Sequence, residues 1–225
     1  NLGGLSTIFY VLLRYFVKER EQAMAMLDQE HRRVVREKER LDKIKRILSN
    51  FVPETAKNII EKDWNEKFDL DPGFTVHTVP SRHFSGRWLK RNQALWTSFV
   101  LQTPQLRIFI GGDSGYDKHF AEIGNTFGGF DLAIMENGQY NKNWKHIHLM
   151  PHEILQAAKE LKAKRIFPVH SSKFVLGNHA WDAPLELITE NNKKENLNII
   201  TPMIGEKVDL NNPDQVFSPW WKEVR

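Results

Sequence analysis

The chain has 225 residues, enough for one sizeable domain with an appendage, and its 40% hydrophobic and 27% charged content is that of a globular protein with a buried core. It contains no cysteine, which excludes disulfides, thiolate nucleophiles and Cys-ligated zinc and leaves His, Asp and Glu to hold any metal. Of the formal charge of +4, three units come from residues 18–46, where ten Lys or Arg face seven Asp or Glu; interspersed signs without aromatic residues describe a solvated helix face and argue against a nucleic-acid partner.

Residues 2–17 are apolar and aromatic, but Arg14 interrupts them and 16 residues fall short of the ~20 that cross a bilayer. No basic region precedes the stretch and no small-residue cleavage site follows, so it does not read as a signal peptide. Two readings stay open. It is the cytoplasmic end of a truncated membrane helix with Arg14, Lys18 and Arg20 on the inner side, or a greasy helix packing on its own domain or on a twin. The expected location is the cytoplasm, with membrane-surface contact through this helix under the first reading.

From Lys18 to Asn50 there is no Pro or Gly, and Leu27, Val34, Leu41 and Leu48 recur every seven residues, with Ile44 at one intermediate position. That spacing predicts a long helix with one apolar stripe, either a coiled coil forming a homodimer or an amphipathic helix docked on the body. Pro53 breaks it, and a further short helix is expected over 54–62.

After Trp64 strand-like runs alternate with helical ones. Strands are predicted over 74–79, 96–102, 107–111, 130–135, 165–169 and 197–201, and helices over 151–161 and 181–192. This pattern predicts an α/β layered domain over 59–225, preceded by a helical segment over 1–58.

Three of these strands run into a residue that binds metal. Phe74 onward leads to Ser81-Arg82-His83, Phe109-Ile110-Gly111-Gly112 leads to Asp113, and Ile166-Phe167-Pro168-Val169 leads to His170. An acid and two imidazoles at separate strand ends are the makings of a metal centre. The glycines around Asp113 allow a sharp turn and close backbone approach. Taken singly, an Asp here is equally a turn former or helix cap, and each histidine a hydrogen-bonded core residue.

Together, Ser81-Arg82-His83-Phe84-Ser85-Gly86-Arg87, Leu95-Trp96-Thr97-Ser98-Phe99, Gly111-Gly112-Asp113-Ser114-Gly115-Tyr116, Phe130-Asp131-Leu132-Ala133 and Val169-His170-Ser171-Ser172-Lys173-Phe174 resemble the metallo-β-lactamase fold. Within it they are similar to the N-acyl-phosphatidylethanolamine-hydrolysing phospholipase D branch, from about Ile60 to the C-terminus. The resemblance implies an αββα hydrolase with two zinc ions at the strand ends, acting on a small-molecule or lipid phosphodiester through a zinc-activated water. It implies His83 as ligand of the first ion, Asp113 as the bridge and His170 as ligand of the second. His148 falls near the substrate with a catalytic role, or is a surface histidine preceding a helix, and Tyr116 and Asn137 line the same mouth by position.

The upstream His-x-His-x-Asp-His string of that family is absent from the 225 residues, so the domain is expected to be partial and to lack its N-terminal half, leaving two protein donors for each ion. Residues 1–58 resemble the membrane-proximal helical linker of membrane-bound nucleotide cyclases. Two functions follow: a zinc-dependent hydrolase, completed or not by a complementing chain, and a non-catalytic helix-mediated interaction or signalling module built on a degenerate hydrolase domain.

Overall fold

The computed structural model describes residues 22, 24–36, 38–39, 59–85, 92, 94–173 and 176–224. Its contacts divide the chain into two units, Asn1–Glu61 and Lys62–Arg225. In the first, residues 24–36 are helical (α1) with their side chains exposed, Leu27 and Val34 among them. The apolar run over 2–17 and the heptad positions Leu41, Ile44 and Leu48 lie outside the described residues. Residues 59–62, the described end of the short helix expected over 54–62, are not helical.

The second unit is built on one six-stranded sheet in sequence order: β1 (Lys67–Asp71), β2 (Phe74–Pro80), β3 (Thr97–Gln102), β4 (Arg107–Ile110), β5 (Leu132–Glu136) and β6 (Ile166–Val169). Strands β1 to β4 pair antiparallel, and β4, β5 and β6 pair parallel. The change follows from the connections. Short turns join β1 to β2 and β3 to β4 and a longer loop joins β2 to β3, while helices α2 (His119–Phe127) and α3 (Glu153–Glu160) lie within the β4–β5 and β5–β6 connections, as parallel crossovers require. Helix α4 (Ala183–Glu195) follows β6.

One sheet face carries Val79, Val100, Phe109, Ala133, Met135 and Ile166, buried against Phe120 and Ile123 of α2, Ile154, Leu155 and Ala158 of α3, and Ile188 of α4. Ile154 and Leu155 precede Ala158 by four and three residues, so one stripe of α3 meets the sheet. On the opposite face Ile108 and Leu132 are covered by Ile200, Val208, Leu210 and Phe217 from the C-terminal segment. Phe99 and Ile110, cross-strand partners on that face, remain 40% and 36% exposed.

The structure departs from several of the expected elements. Residues 197–201 form no strand: Ile199 makes a single parallel bridge to Ile166, with Ile200 N–H donating to the Ile166 carbonyl. Phe130 likewise makes one bridge, to Ala163, before β5 begins at Leu132. Strand β1 and helix α2 were not foreseen. The first is a mostly exposed edge strand of alternating charge, and the second opens on His119 directly after the glycine-rich turn.

Candidate metal centre

The strand ends are drawn together by hydrogen bonds between the loops that leave them. Arg82 N–H donates to Ser114 Oγ at 2.9 Å, and Gly115 N–H donates to the Arg82 carbonyl at 2.8 Å, so the β2 exit is laced to the β4 exit. Gly112 turns the chain at a φ of +61°, a conformation that glycine adopts without steric cost. Gly115 packs so closely that a Cβ there would lie 2.4 Å from the His146 carbonyl carbon and oxygen. Arg82 completes the lacing, donating to the Tyr116 carbonyl at 2.8 Å, pairing with Asp117 at 3.2 Å and meeting His146 Nδ1 at 2.9 Å. The β5 and β6 exits are joined by Asn137 N–H, which donates to the Val169 carbonyl at 2.8 Å.

These loops converge five side chains. One donor atom each from His83, Asp113 and His148 lies within 4.8 Å of the others, and the same holds for Glu136, His148 and His170. The His170 Nδ1 is 3.5 Å from Asp113 Oδ1. The His148 ring stands edge-on to His83 at 5.5 Å and stacks on His170 at 5.6 Å. The three residues expected from separate strand ends, His83, Asp113 and His170, thus sit around His148, which lies between them.

Glu136 is the residue that the sequence reading missed. It is 2% exposed at the end of β5, and its carboxylate takes two short hydrogen bonds, from His148 Nδ1 and Leu149 N–H, both at 2.6 Å. Burial pushes Glu136 up to about 7, against the pull of its bond to His148. Burial lowers His148, but the bond and charge of Glu136 outweigh it, so the imidazole ends above its ordinary value. The two groups act as one proton-sharing pair. Because Nδ1 is committed to Glu136, Nε2 is the ring nitrogen left for other work.

His83 is arranged the same way by its own chain: Nδ1 faces the Phe84 carbonyl at 2.9 Å, which puts the proton there and the lone pair on Nε2. His170 is held below its ordinary value by burial, with Asp113 pulling the other way, so its ring is neutral and able to ligate at neutral pH. Its main chain sits at a φ of +66°, in the left-handed region. A non-glycine residue held there carries strain that its surroundings must offset.

Comparison with known proteins places this arrangement. A family model described as the β-lactamase superfamily domain matches residues 17–171, well over half of the chain. Outer membrane protein RomA of Klebsiella pneumoniae is 57% identical over 106 residues, covering 47% of this chain and 80% of that protein. The chain is a metallo-β-lactamase superfamily member. An uncharacterized protein of Mycobacterium tuberculosis is 38% identical over 167 residues, covering 73% of the chain and 44% of that protein. The mitochondrial N-acyl-phosphatidylethanolamine-hydrolyzing phospholipase D of Saccharomyces cerevisiae is 35% identical over 147 residues, 59% of the chain and 31% of that protein. The chain therefore spans less than half the length of these last two relatives. Among solved structures, the metallo hydrolase Igni18 of Ignicoccus hospitalis superposes with a TM-score of 0.53 at 17% identity, covering 73% of this chain and 65% of that one.

Within this metallo-β-lactamase fold, Tyr116 and Asn137 turn to structural contacts. The Tyr116 hydroxyl bonds Glu160 and Gln156 of α3, both at 2.5 Å, and the Asn137 amide donates to the Pro184 carbonyl at 2.9 Å. His119 and His179 stay out of the cluster. His119 is buried with Nε2 3.2 Å from Ser114 Oγ, and His179 stacks on Tyr140 while its Nε2 accepts from Gln139 N–H. Among the described residues no helix is long and apolar enough to cross a membrane.

Proposed function

We propose that this chain supplies the metal-binding strand ends of a zinc-dependent phosphodiester hydrolase, with His83, Asp113 and His170 as ligands and His148 beside the reacting group. The observation that carries it is the convergence of donor atoms from His83, Asp113 and His148 within 4.8 Å, with His170 adjoining Asp113. The donor chemistry fits a divalent cation. Three imidazoles and a carboxylate meet, none of the donors is a thiolate, and two of the rings have Nδ1 occupied and Nε2 free. A buried carboxylate behind a histidine is the arrangement that fixes ring tautomer and orientation at metal sites.

A bound metal would polarise a phosphoryl oxygen and lower the pKa of water toward ~7. The chain's own residues do the rest. Asp113 contributes the negative charge that offsets the cation, and His83 and His170 present ring nitrogens to it. His148, coupled to Glu136 through Nδ1, accepts the attacking water's proton at Nε2 and passes it to the leaving-group oxygen as the P–O bond to that oxygen breaks and water oxygen replaces it. The name of the yeast relative supports a phosphodiester, and a lipid one, as substrate. Three protein donors and a water would complete one tetrahedral zinc and leave a second ion short, so one tightly held ion per chain is the expected load; donors for a second would come from a complementing chain or segment.

The test is elemental analysis of the purified protein combined with hydrolysis of 4-nitrophenyl phosphodiesters. About one equivalent of zinc, and loss of both zinc and turnover in Asp113→Ala, is the expected result. A protein that holds less than about half an equivalent after zinc loading, or an Asp113→Ala variant with undiminished rate, overturns the reading.

A further inference from the structure

A groove of about 260 Å³ opens beside the metal centre, and His170 belongs to both. The rest of its lining is mainly apolar, with Phe167, Leu185 and Trp220 among the residues that shape it. One side is the turn Met203–Glu206, in which Glu206 N–H donates to the Met203 carbonyl at 2.8 Å and the Glu206 carboxylate accepts from Met203 N–H at 2.7 Å. The one acidic side chain of the groove is thereby committed to the turn. What the turn displays is Met203 and Ile204, 52% and 70% exposed. Turns ordinarily carry Gly, Pro, Asn, Asp or Ser at such positions, and bare Met and Ile at the rim of a concavity need an apolar partner.

We propose that this groove takes a hydrocarbon arm of the substrate, with Met203 and Ile204 closing over it; this rests on the hydrolase reading above. Continuity argues for a substrate arm rather than a separate ligand, since His170 both lines the groove and belongs to the donor cluster. Size argues the same way. Sites that enclose a whole small molecule run to ~300–1,000 Å³, so about 260 Å³ holds one arm of a substrate whose polar end sits elsewhere. Methionine at the rim suits arms of varied shape, because its unbranched side chain repacks readily.

The experiment compares octylphosphonate with methylphosphonate by titration calorimetry on the zinc-loaded protein, alongside hydrolysis of 4-nitrophenyl octyl and methyl phosphodiesters. Octylphosphonate is expected to bind about tenfold or more tighter than the methyl compound, because several methylenes leave water. Ile204→Asp and Met203→Asp, both on the exposed turn, should each cut that preference, read as the ratio of the two affinities, to about twofold or less. Equal binding of the two phosphonates, no binding of octylphosphonate, or an octyl preference that survives the double Met203→Asp and Ile204→Asp variant overturns the groove assignment. If neither ester is hydrolysed but the octyl preference is present and lost in the turn variants, the hydrolase reading fails and the groove stands.

Discussion

Glu136 and His148 are joined by a 2.6 Å hydrogen bond in the interior, and each is buried. A bond this short between a carboxylate and an imidazole, away from water, fixes ring orientation more firmly than packing alone. Glu136→Gln keeps the shape and one acceptor but removes the charge that holds the Nδ1 proton. Activity or metal affinity is expected to drop about 10- to 100-fold with the thermal melt little changed. Steady-state rates of Glu136→Gln, His148→Ala and the double variant give the check: if the two act as a unit, the double variant is no worse than His148→Ala alone.

Much of this site was legible because one physical pattern recurs: an apolar strand ends on a polar residue where the chain emerges from the core. The rule picks out His83, Asp113 and His170, three of the side chains that the structure brings together. Carrying the fifth strand one residue beyond Met135 would have found Glu136 by the same logic. His148 follows no strand and came only from resemblance, since nothing in His146-Ile147-His148 states that a buried carboxylate waits for its ring. Tyr116 and Asn137 show the limit of positional reading. Both lie next to the site in sequence, but side-chain direction depends on partners 44 and 47 residues away, Glu160 and Pro184. The residues 197–201 look like a strand because they are mostly apolar, but they form an irregular segment with one bridge, in which Ile200 covers Ile108 and Leu132 while Leu197 and Ile199 pack on the core of the other face.

His119 couples the fold beneath the site to pH. It is 7% exposed, and burial pushes it down to about 4 from the usual 6.5. The folded-state value is depressed, so the unfolded chain binds the proton more readily. The resulting stability is present above about 6.5 and is lost as pH falls toward 4, worth about 3 kcal/mol over the full window. Urea denaturation at pH 7.5 and pH 4.5 should show this loss, and His119→Gln should reduce the difference between the two midpoints. An unchanged pH dependence in the variant would show that other groups, such as the Glu136 pair, set it.

The β4 exit is the tightest backbone contact at the site. A methyl group at Gly115 would sit 2.4 Å from both the carbon and the oxygen of the His146 carbonyl, and backbone cannot swing away as a flexible side chain can. Gly115→Ala therefore forces Ser114 and Asp113 away from the segment carrying His146 and His148. The expected destabilisation is about 1–3 kcal/mol, read as a fall in melting temperature of about 2–4 °C per kcal/mol. A melt within 1 °C of the parent, roughly the effect of an ordinary surface substitution, would mean that the two loops are not locked together.

His170 gives a case in which stability and function oppose each other. Its φ of +66° costs an ordinary residue about 1–2 kcal/mol, whereas asparagine visits that region more readily through local hydrogen bonding. The strain persists because Asn137 N–H holds the preceding Val169 carbonyl and aims the ring at Asp113, 3.5 Å away. His170→Asn is expected to melt at or above the temperature of the parent while losing metal affinity by at least about tenfold, the usual pattern when a strained functional residue is relaxed. Paired measurements of melting temperature without metal and of zinc affinity by competition with a chelator decide it. A variant that melts well below the parent would mean that His170 contributes more to folding than its strain removes, and unchanged zinc affinity would remove it from the ligand set.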